Sequence, residues 1–476
     1  ENAKQINKDG TNGTAWEEVL ISYLAKVSYN YDNRYLLNAI VRRDGSSKLY
    51  GDKFDIFPSF SAGWNIANED FFNNDGPVNQ LKLRASWGRL GNLTSLQNYY
   101  PGYALLSPKS ALFGATPELN AGFVLNNIAT TDLKWEISEQ TDIGLDASFF
   151  DNKLNIIADY YIKNTSDMIM QQDIVATAGV GTPPFINAGA VKNTGFEFSV
   201  NHRGGSTLKY NVWANFSLNN NTVEKLYNKN YIDNGINVRG ILYPIRSQVG
   251  QGLFAFYGQQ VEGIFQSIEE IEAYTGPNGE LLQPDAVPGD FKFANLNGDN
   301  VINADDRTFL GSPFPKYTYS LNTDLQYRNF DLSVFFQGVQ DVDVVNGLKL
   351  TGLTASIQGY NMLKDIQNAW SPENPDSSIP IISSSDNNKN FSTFSDFYVE
   401  DASYLRLKNI TLGYTLSPKI MNNVFQKLRV FGSVDNVFTL TKYSGFDPEV
   451  GADRFGVDIG RYPQARTFML GINAQF

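Results

Sequence analysis

Phe468-Met469-Leu470-Gly471-Ile472-Asn473-Ala474-Gln475-Phe476 closes the chain. Successive side chains of an extended strand point to opposite faces. Phe468, Leu470, Ile472, Ala474 and Phe476 therefore share one face, and Met469, Gly471, Asn473 and Gln475 the other. Such a strand can turn its apolar face to lipid and rest its last aromatic at a membrane interface, where β-barrels carry aromatic girdles. An ordinary amphipathic strand ending on Phe reads the same way, so the pattern has to recur to carry weight.

It does recur. Leu208, Tyr210, Val212, Ala214, Phe216 and Leu218 alternate with Lys209, Asn211, Trp213, Asn215, Ser217 and Asn219. Leu154, Ile156, Ala158, Tyr160 and Ile162 oppose a set with Asn155, Asp159 and Lys163, and Leu332, Val334 and Phe336 oppose Asp331, Ser333 and Gln337. Alternation predicts thirteen strands, near 16–31, 34–43, 56–67, 80–88, 134–149, 153–166, 190–202, 207–219, 316–328, 330–339, 402–416, 427–438 and 464–476. They are about as long as the roughly 9–11 residues that a tilted membrane strand needs. Within 402–416 the parity slips between Leu405/Leu407 and Ile410/Leu412/Tyr414/Leu416, which calls for a bulge near Lys408-Asn409.

Connections alternate in length. Tight turns are expected at Tyr31-Asp32-Asn33, Phe150-Asp151-Asn152-Lys153, His202-Arg203-Gly204-Gly205 and Arg328-Asn329-Phe330. Longer polar loops fall near 44–55, 89–133, 167–189, 220–315, 340–401 and 439–463. Outer-membrane barrels have short periplasmic turns and long extracellular loops. With a periplasmic C-terminus, counting back puts every long loop outside and makes residues 1–15 part of an extracellular loop. Leu253–Phe265 looks strand-like, yet a single extra crossing there would invert the earlier loops, so it is expected to pair with another short strand or to belong to a loop.

Composition limits the alternatives. The 476 residues are 42% hydrophobic and 13% aromatic, with 33 Phe and 25 Tyr, and mean hydropathy is −0.30. A barrel strand needs only alternate apolar residues, so averaging hides it, and composition alone leaves both a membrane barrel and soluble β-modules open. There is no Cys and one His, His202, which removes thiolate zinc sites, Cys nucleophiles and multi-imidazole centres. The net charge of −12 argues against nucleic acid, which wants basic surface. Glu1-Asn2-Ala3-Lys4 has neither the basic start nor the apolar stretch of a signal peptide, so the chain is expected to start inside a longer protein.

Several stretches resemble the SusC/RagA family of TonB-dependent transporters of Bacteroidetes. They are Arg42-Arg43-Asp44-Gly45-Ser46-Ser47, Phe57-Pro58-Ser59-Phe60-Ser61-Ala62-Gly63-Trp64 and Leu81-Lys82-Leu83-Arg84-Ala85-Ser86-Trp87-Gly88. Gly289-Asp290-Phe291-Lys292-Phe293, Trp370-Ser371-Pro372-Glu373-Asn374-Pro375 and Tyr404-Leu405-Arg406-Leu407-Lys408-Asn409-Ile410-Thr411-Leu412-Gly413-Tyr414 continue the set. Phe446-Asp447-Pro448-Glu449-Val450 and Tyr462-Pro463-Gln464-Ala465-Arg466-Thr467 close it. The resemblance implies an all-β transmembrane antiparallel barrel of about 22 strands with a plugged lumen, of which residues 16–476 would supply the C-terminal thirteen. It also implies partners: a SusD-like surface lipoprotein, TonB acting through a plug, the N-terminal remainder of the barrel, outer-membrane lipid, and an oligosaccharide or oligopeptide substrate. Thirteen strands alone would leave two unpaired edges, which lipid does not tolerate.

One motif could carry a cation. Asn295, Asn297 and Asp299 fall at positions 1, 3 and 5 of a calcium loop, the Val301 carbonyl at 7, Asn303 at 9 and Asp306 at 12. Position 6 is Asn300 where Gly is usual, and Asn can adopt the left-handed turn that Gly supplies. A metal-free Asx-rich turn fits the same residues. Bound Ca2+ would stiffen the loop rather than take part in chemistry. Asp305-Asp306 and Glu269-Glu270 are carboxylate pairs of the kind that 50 acidic residues produce by chance, and His202 joins no credible triad. Tyr99, Tyr100, Phe254, Phe256, Tyr257, Trp370, Tyr443 and Phe446 are loop aromatics able to stack on sugar rings or to pack the loops. No enzymatic activity is expected. The reading is TonB-dependent import in a SusCD-type complex, with a passive porin or receptor and a soluble glycan-binding β-protein as the alternatives.

Overall fold

The computed structural model describes residues 15–73, 75–114, 118–172, 174–234, 244–355, 361–416, 425–450 and 455–476. The segment 1–15, expected as an extracellular loop, lies outside the described residues except for Ala15.

Thirteen long strands form one antiparallel sheet in chain order. They are β1 Leu20–Tyr31, β2 Tyr35–Ser46, β3 Phe54–Asn65, β4 Val78–Asn92, β5 Glu136–Phe149, β6 Leu154–Gln171 and β7 Phe185–Gly204. The sheet continues with β8 Leu208–Lys225, β9 Tyr317–Tyr327, β10 Phe330–Gln340, β11 Tyr404–Thr415, β12 Lys427–Thr441 and β13 Thr467–Gln475. Each corresponds to one run of alternation, because a long amphipathic strand fixes its own register: a one-residue slip would turn its whole apolar set to the wrong side. At a rise of about 3.3 Å per residue, β7 with its 20 residues runs well beyond what a membrane needs. The expected bulge is at Lys408, where the register of β11 shifts against both neighbours.

Local stereochemistry explains the short turns. Asp32 and Asn33 take positive φ, as do Phe150, Asp151, Asn152 and Arg328, and Asx residues reach that region most readily. Gly205 is there by necessity. Its φ is +86, and a Cβ would lie 1.7 Å from the Leu208 carbonyl oxygen.

The long connections carry far more structure than polar loops would. Leu105–Phe113 and Glu118–Asn127 pair as a separate hairpin inside the connection from β4 to β5. Between β8 and β9, Tyr231–Asn234, Ile245–Gln248, Ala255–Gln259 and Arg307–Gly311 form a four-stranded sheet, and Val261–Ile264 pairs with Phe291–Phe293. The stretch Leu253–Phe265 is thus loop structure built of short paired strands, and adds no crossing. Val399–Asp401, Asp343–Asn346 and Val457–Asp458 make a three-stranded sheet that ties the last two long loops together. Ile245, Phe256, Val345, Leu350, Phe391, Tyr398 and Val457 pack as a common core beneath these pieces.

Candidate functional site

The register sorts the sheet into two unlike faces. One collects Ser61, Ser86 and Asp142 on β3, β4 and β5, then Asp159, Glu197, Ser217 and Thr318 on β6 to β9. Polar groups on this face hydrogen-bond across strands. Ser199 Oγ donates to Asn215 Oδ1 at 2.7 Å, and Asn215 Nδ2 donates to Ser320 Oγ at 3.1 Å. Asn201 Nδ2 donates to Asn211 Oδ1, Ser333 donates to Asp324, and Asn409 Nδ2 donates to Asp435 and Ser433. An ion pair on this face is built on Arg84, whose Nη2 lies 2.8 Å from Asp146 and 3.0 Å from Asp159. Gly144 makes room for that ion pair, since a Cβ there would stand 2.1 Å from Asp159 Oδ1. Arg84 belongs to a quoted motif, and period two puts it beside Lys82 and Ser86; the partners on β5 and β6 follow only from register.

The opposite face is apolar and banded by aromatics. At the short-turn end Tyr31 meets Tyr35 at 6.4 Å, Phe330 meets Tyr414 at 4.8 Å and His202 meets Tyr210 at 5.4 Å. Toward the long-loop end Phe60 stacks on Trp87 and Phe216 on Tyr317, each at 6.0 Å. His202 is therefore part of the aromatic band at the short-turn end.

In the long loops the quoted motifs come together in pairs. Arg406, buried, donates from Nη2 to Asp447 at 2.6 Å, from Nη1 to Glu449 at 2.9 Å and from Nε to Thr439 at 2.7 Å. Asp447 also accepts the amides of Glu449 and Gln464. Burial pushes its carboxyl up, but the two amides and the Arg406 guanidinium outweigh burial and hold it below the ordinary carboxylate range. Gly289, at φ +100, lies under Trp370, and its carbonyl accepts the Ile381 amide. The first is a structural joint between β11 and the loop after β12, the second a joint between two long loops.

The calcium-like residues form one compact turn. Asn295 Oδ1 accepts the Gly298 amide, Asn297 Oδ1 that of Asp299, Asp299 Oδ1 that of Val301 and Asn303 Oδ1 that of Asp305. Asp306, fully buried, accepts the Leu296, Asn297 and Asn303 amides. The left-handed residue is Gly298, at φ +71, and Asn300 is absent from the positive-φ residues. Among the described residues no three His, Cys, Asp or Glu side chains gather as a metal cluster, so a cation here would rest on Asn oxygens and carbonyls as much as on carboxylates. Of the acidic pairs, Glu270 closes a helix start, donating its amide to Ser267 and accepting that of Gln266.

Most loop aromatics pack. Tyr99 stacks on Trp16 at 4.0 Å under Lys48, Phe254 meets Phe455 at 4.5 Å, Phe256 is buried, and Tyr257 meets Phe309 and Arg246. Trp370 and Tyr443 are buried with their polar atoms bonded to Gln266 and Asp458. Tyr100 is partly open and accepts the Glu17 amide. Phe446 stays 62% exposed.

Residues 7–437 match the model of the TonB dependent receptor-like β-barrel family. TonB-dependent receptor P3 of Formosa agariphila is 33% identical over 97% of this chain and 46% of its own length. TonB-dependent receptor SusC of Bacteroides thetaiotaomicron is 28% identical over 97% of this chain and 44% of its own. The chain thus spans about half the length of the curated relatives it matches. In structure it is similar to the RagAB peptide transporter, with a TM-score of 0.79 and 23% identity, covering 99% of this chain and 50% of that one.

Proposed function

Since the chain belongs to the TonB dependent receptor-like β-barrel family, we propose that it forms one side of an outer-membrane barrel that imports an oligosaccharide or oligopeptide with energy relayed by TonB. The observation that carries this reading is the two-faced sheet. An apolar face with two aromatic bands suits lipid and its interfaces, and the hydrogen-bonded polar face suits an aqueous or plugged lumen. In this reading the edges β1 and β13 pair with further strands, because open edges are not tolerated in hydrocarbon. The short turns and Phe476 lie on the periplasmic side and the structured loops outside, where a SusD-like lipoprotein closes over them. TonB would act on a plug from the remainder of the protein. A passive porin is the competing reading. Uptake by cells carrying the full-length protein should stop when TonB is deleted; undiminished uptake would favour the porin.

The Asx-rich loop is a candidate Ca2+ site under this reading, with Asn295, Asn297, Asp299, the Val301 carbonyl, Asn303 and Asp306 as the groups that would hold the ion. Its role there would be to stiffen an extracellular loop.

A further inference from the structure

The apolar face of β1 to β5 is dented near the short-turn end. Leu37, Ala62, Ala85 and Ile143 are successive cross-strand neighbours, and Val27, Ala39, Phe60 and Trp87 form the next row toward the long loops. Ala39, Ala62 and Ala85 stop at Cβ, while Tyr29, Phe60 and Trp87 stand up around them, and together they border a groove of about 630 Å3, within the size range of small-ligand sites. The side chains that face it are uncharged. Ser61, Ser86 and Asp142 also border it, but alternation turns their side chains to the polar face.

The groove runs down to a polar foot. Tyr35 and Trp64 stand one row below Leu37 and Ala62, and both donate to Glu69, the Trp64 indole at 2.8 Å. Glu69 lies against Arg34, which also pairs with Asp32 and Asp70. One guanidinium thus meets three carboxylates, and two of these, Asp32 and Asp70, are 68% and 87% exposed.

We propose that this groove binds one phospholipid with an amine headgroup, an acyl chain lying over the three alanines and the ammonium beside Asp32 and Asp70. The inference rests on the barrel reading above, which makes this face the outer one and the short turns periplasmic, and it goes further by naming the lipid. A closed barrel does not cover its own outer face, so the occupant comes from the membrane or from a second protein. A stable protein partner needs roughly 800 Å2 of matching surface on each side, whereas a flexible chain needs only the slot between the aromatic rings. Charge selects the headgroup. Carboxylates that outnumber their guanidinium attract an ammonium and disfavour lipids of net negative charge.

The test is native mass spectrometry of the full-length protein, delipidated in mild detergent and titrated with phosphatidylethanolamine and, separately, with phosphatidylglycerol of the same chains. One phosphatidylethanolamine should bind, several-fold more tightly than phosphatidylglycerol. Ala62→Leu with Ala85→Leu fills the groove and should weaken binding about tenfold, the equivalent of roughly two buried methylenes. Ala214→Leu, on the same face of β8 away from the groove, should leave binding unchanged. Asp32→Asn with Asp70→Asn should bring the two lipids level and, touching only exposed carboxylates, keeps the test open should the filled groove misfold. Equal binding of phosphatidylethanolamine by the filled variant and the parent overturns the proposal, as does parity of the two lipids in the parent. So does a filled variant that turns a dimer into a monomer with lipid binding unchanged, which would give the face to a second copy. The barrel reading fails differently: a protein that stays in aqueous buffer without detergent refutes it, whereas a detergent-requiring barrel that holds no phosphatidylethanolamine refutes the lipid site alone.

Discussion

Arg406→Ala tests whether the buried ion pair holds the loop after β12 to the sheet. The side chain is 2% exposed and its partner Asp447 10%. Removing it leaves Asp447 in place with the Glu449 and Gln464 amides as donors, while Glu449, 36% exposed, keeps Lys408 at 3.2 Å. Taking one partner from a buried pair costs about 3–5 kcal/mol, and the surviving amides put this case near 3 kcal/mol. That is on the order of a hundredfold in a local opening equilibrium. Hydrogen exchange on the full-length protein in micelles should show residues 446–450 and 464 exchanging faster by that factor, with β4 and β5 unchanged. Combining Arg406→Met with Asp447→Asn should recover most of the protection, since no charge is then left buried. Exchange within about threefold of the parent would refute the reasoning. So would a double variant as open as Arg406→Ala, which would assign the loss to packing.

Acid should loosen the same joint. A carboxyl held below its ordinary value, as Asp447 is, contributes stability that is present above the unfolded pKa, about 3.9, and is lost as pH falls through the lower folded value. Corrected exchange at 446–450 should stay flat from pH 8 to 5 and rise below about pH 4; a rise between 7 and 5 would point to another group. Gly289→Ala puts a Cβ 2.4 Å from Trp370 Cε3 at φ +100, whereas Gly279→Ala, at φ +81, meets nothing within 4 Å. The first should cost about 3 kcal/mol and the second about 1, read as proteolysis rates in 361–400 against 275–285. Asp306→Ala takes the acceptor from three amides and should cost about 3 kcal/mol, with faster cleavage between 295 and 306. Ca2+ should slow that cleavage in the parent and not in the variant, and an equal response in both would reject the cation site.

What was legible in the sequence follows the range of the interactions. All thirteen sheet strands could be read because each carries its own alternation, and the Lys408 bulge announced itself as a break in parity. The short strands in the loops could not be read this way. Ala255–Gln259 has 5 residues and pairs with Arg307–Gly311, so its register is set by a partner far along the chain. The hairpin at 105–127 escaped notice because Ser107, Pro108 and Lys109 interrupt its apolar positions. Motif reading picked out Arg406 and Asp447 separately; that they form one joint depends on how the loops fold back over β11 and β12. Phe446 was named among eight loop aromatics, and only burial separates it from the seven that pack or bond.

If the sheet lines an import route as proposed, the ladder of Ser199, Asn215 and Ser320 across the polar face has a consequence for what passes it. Two of its hydrogen bonds run from one strand to the next, so a passing hydroxyl or amide meets groups that are already partly engaged. Such a lining wets readily and grips weakly. Passage depends on release as much as on entry, and self-paired side chains meet that need without moving. Under the import proposed above, retention and discrimination then fall to groups outside this ladder.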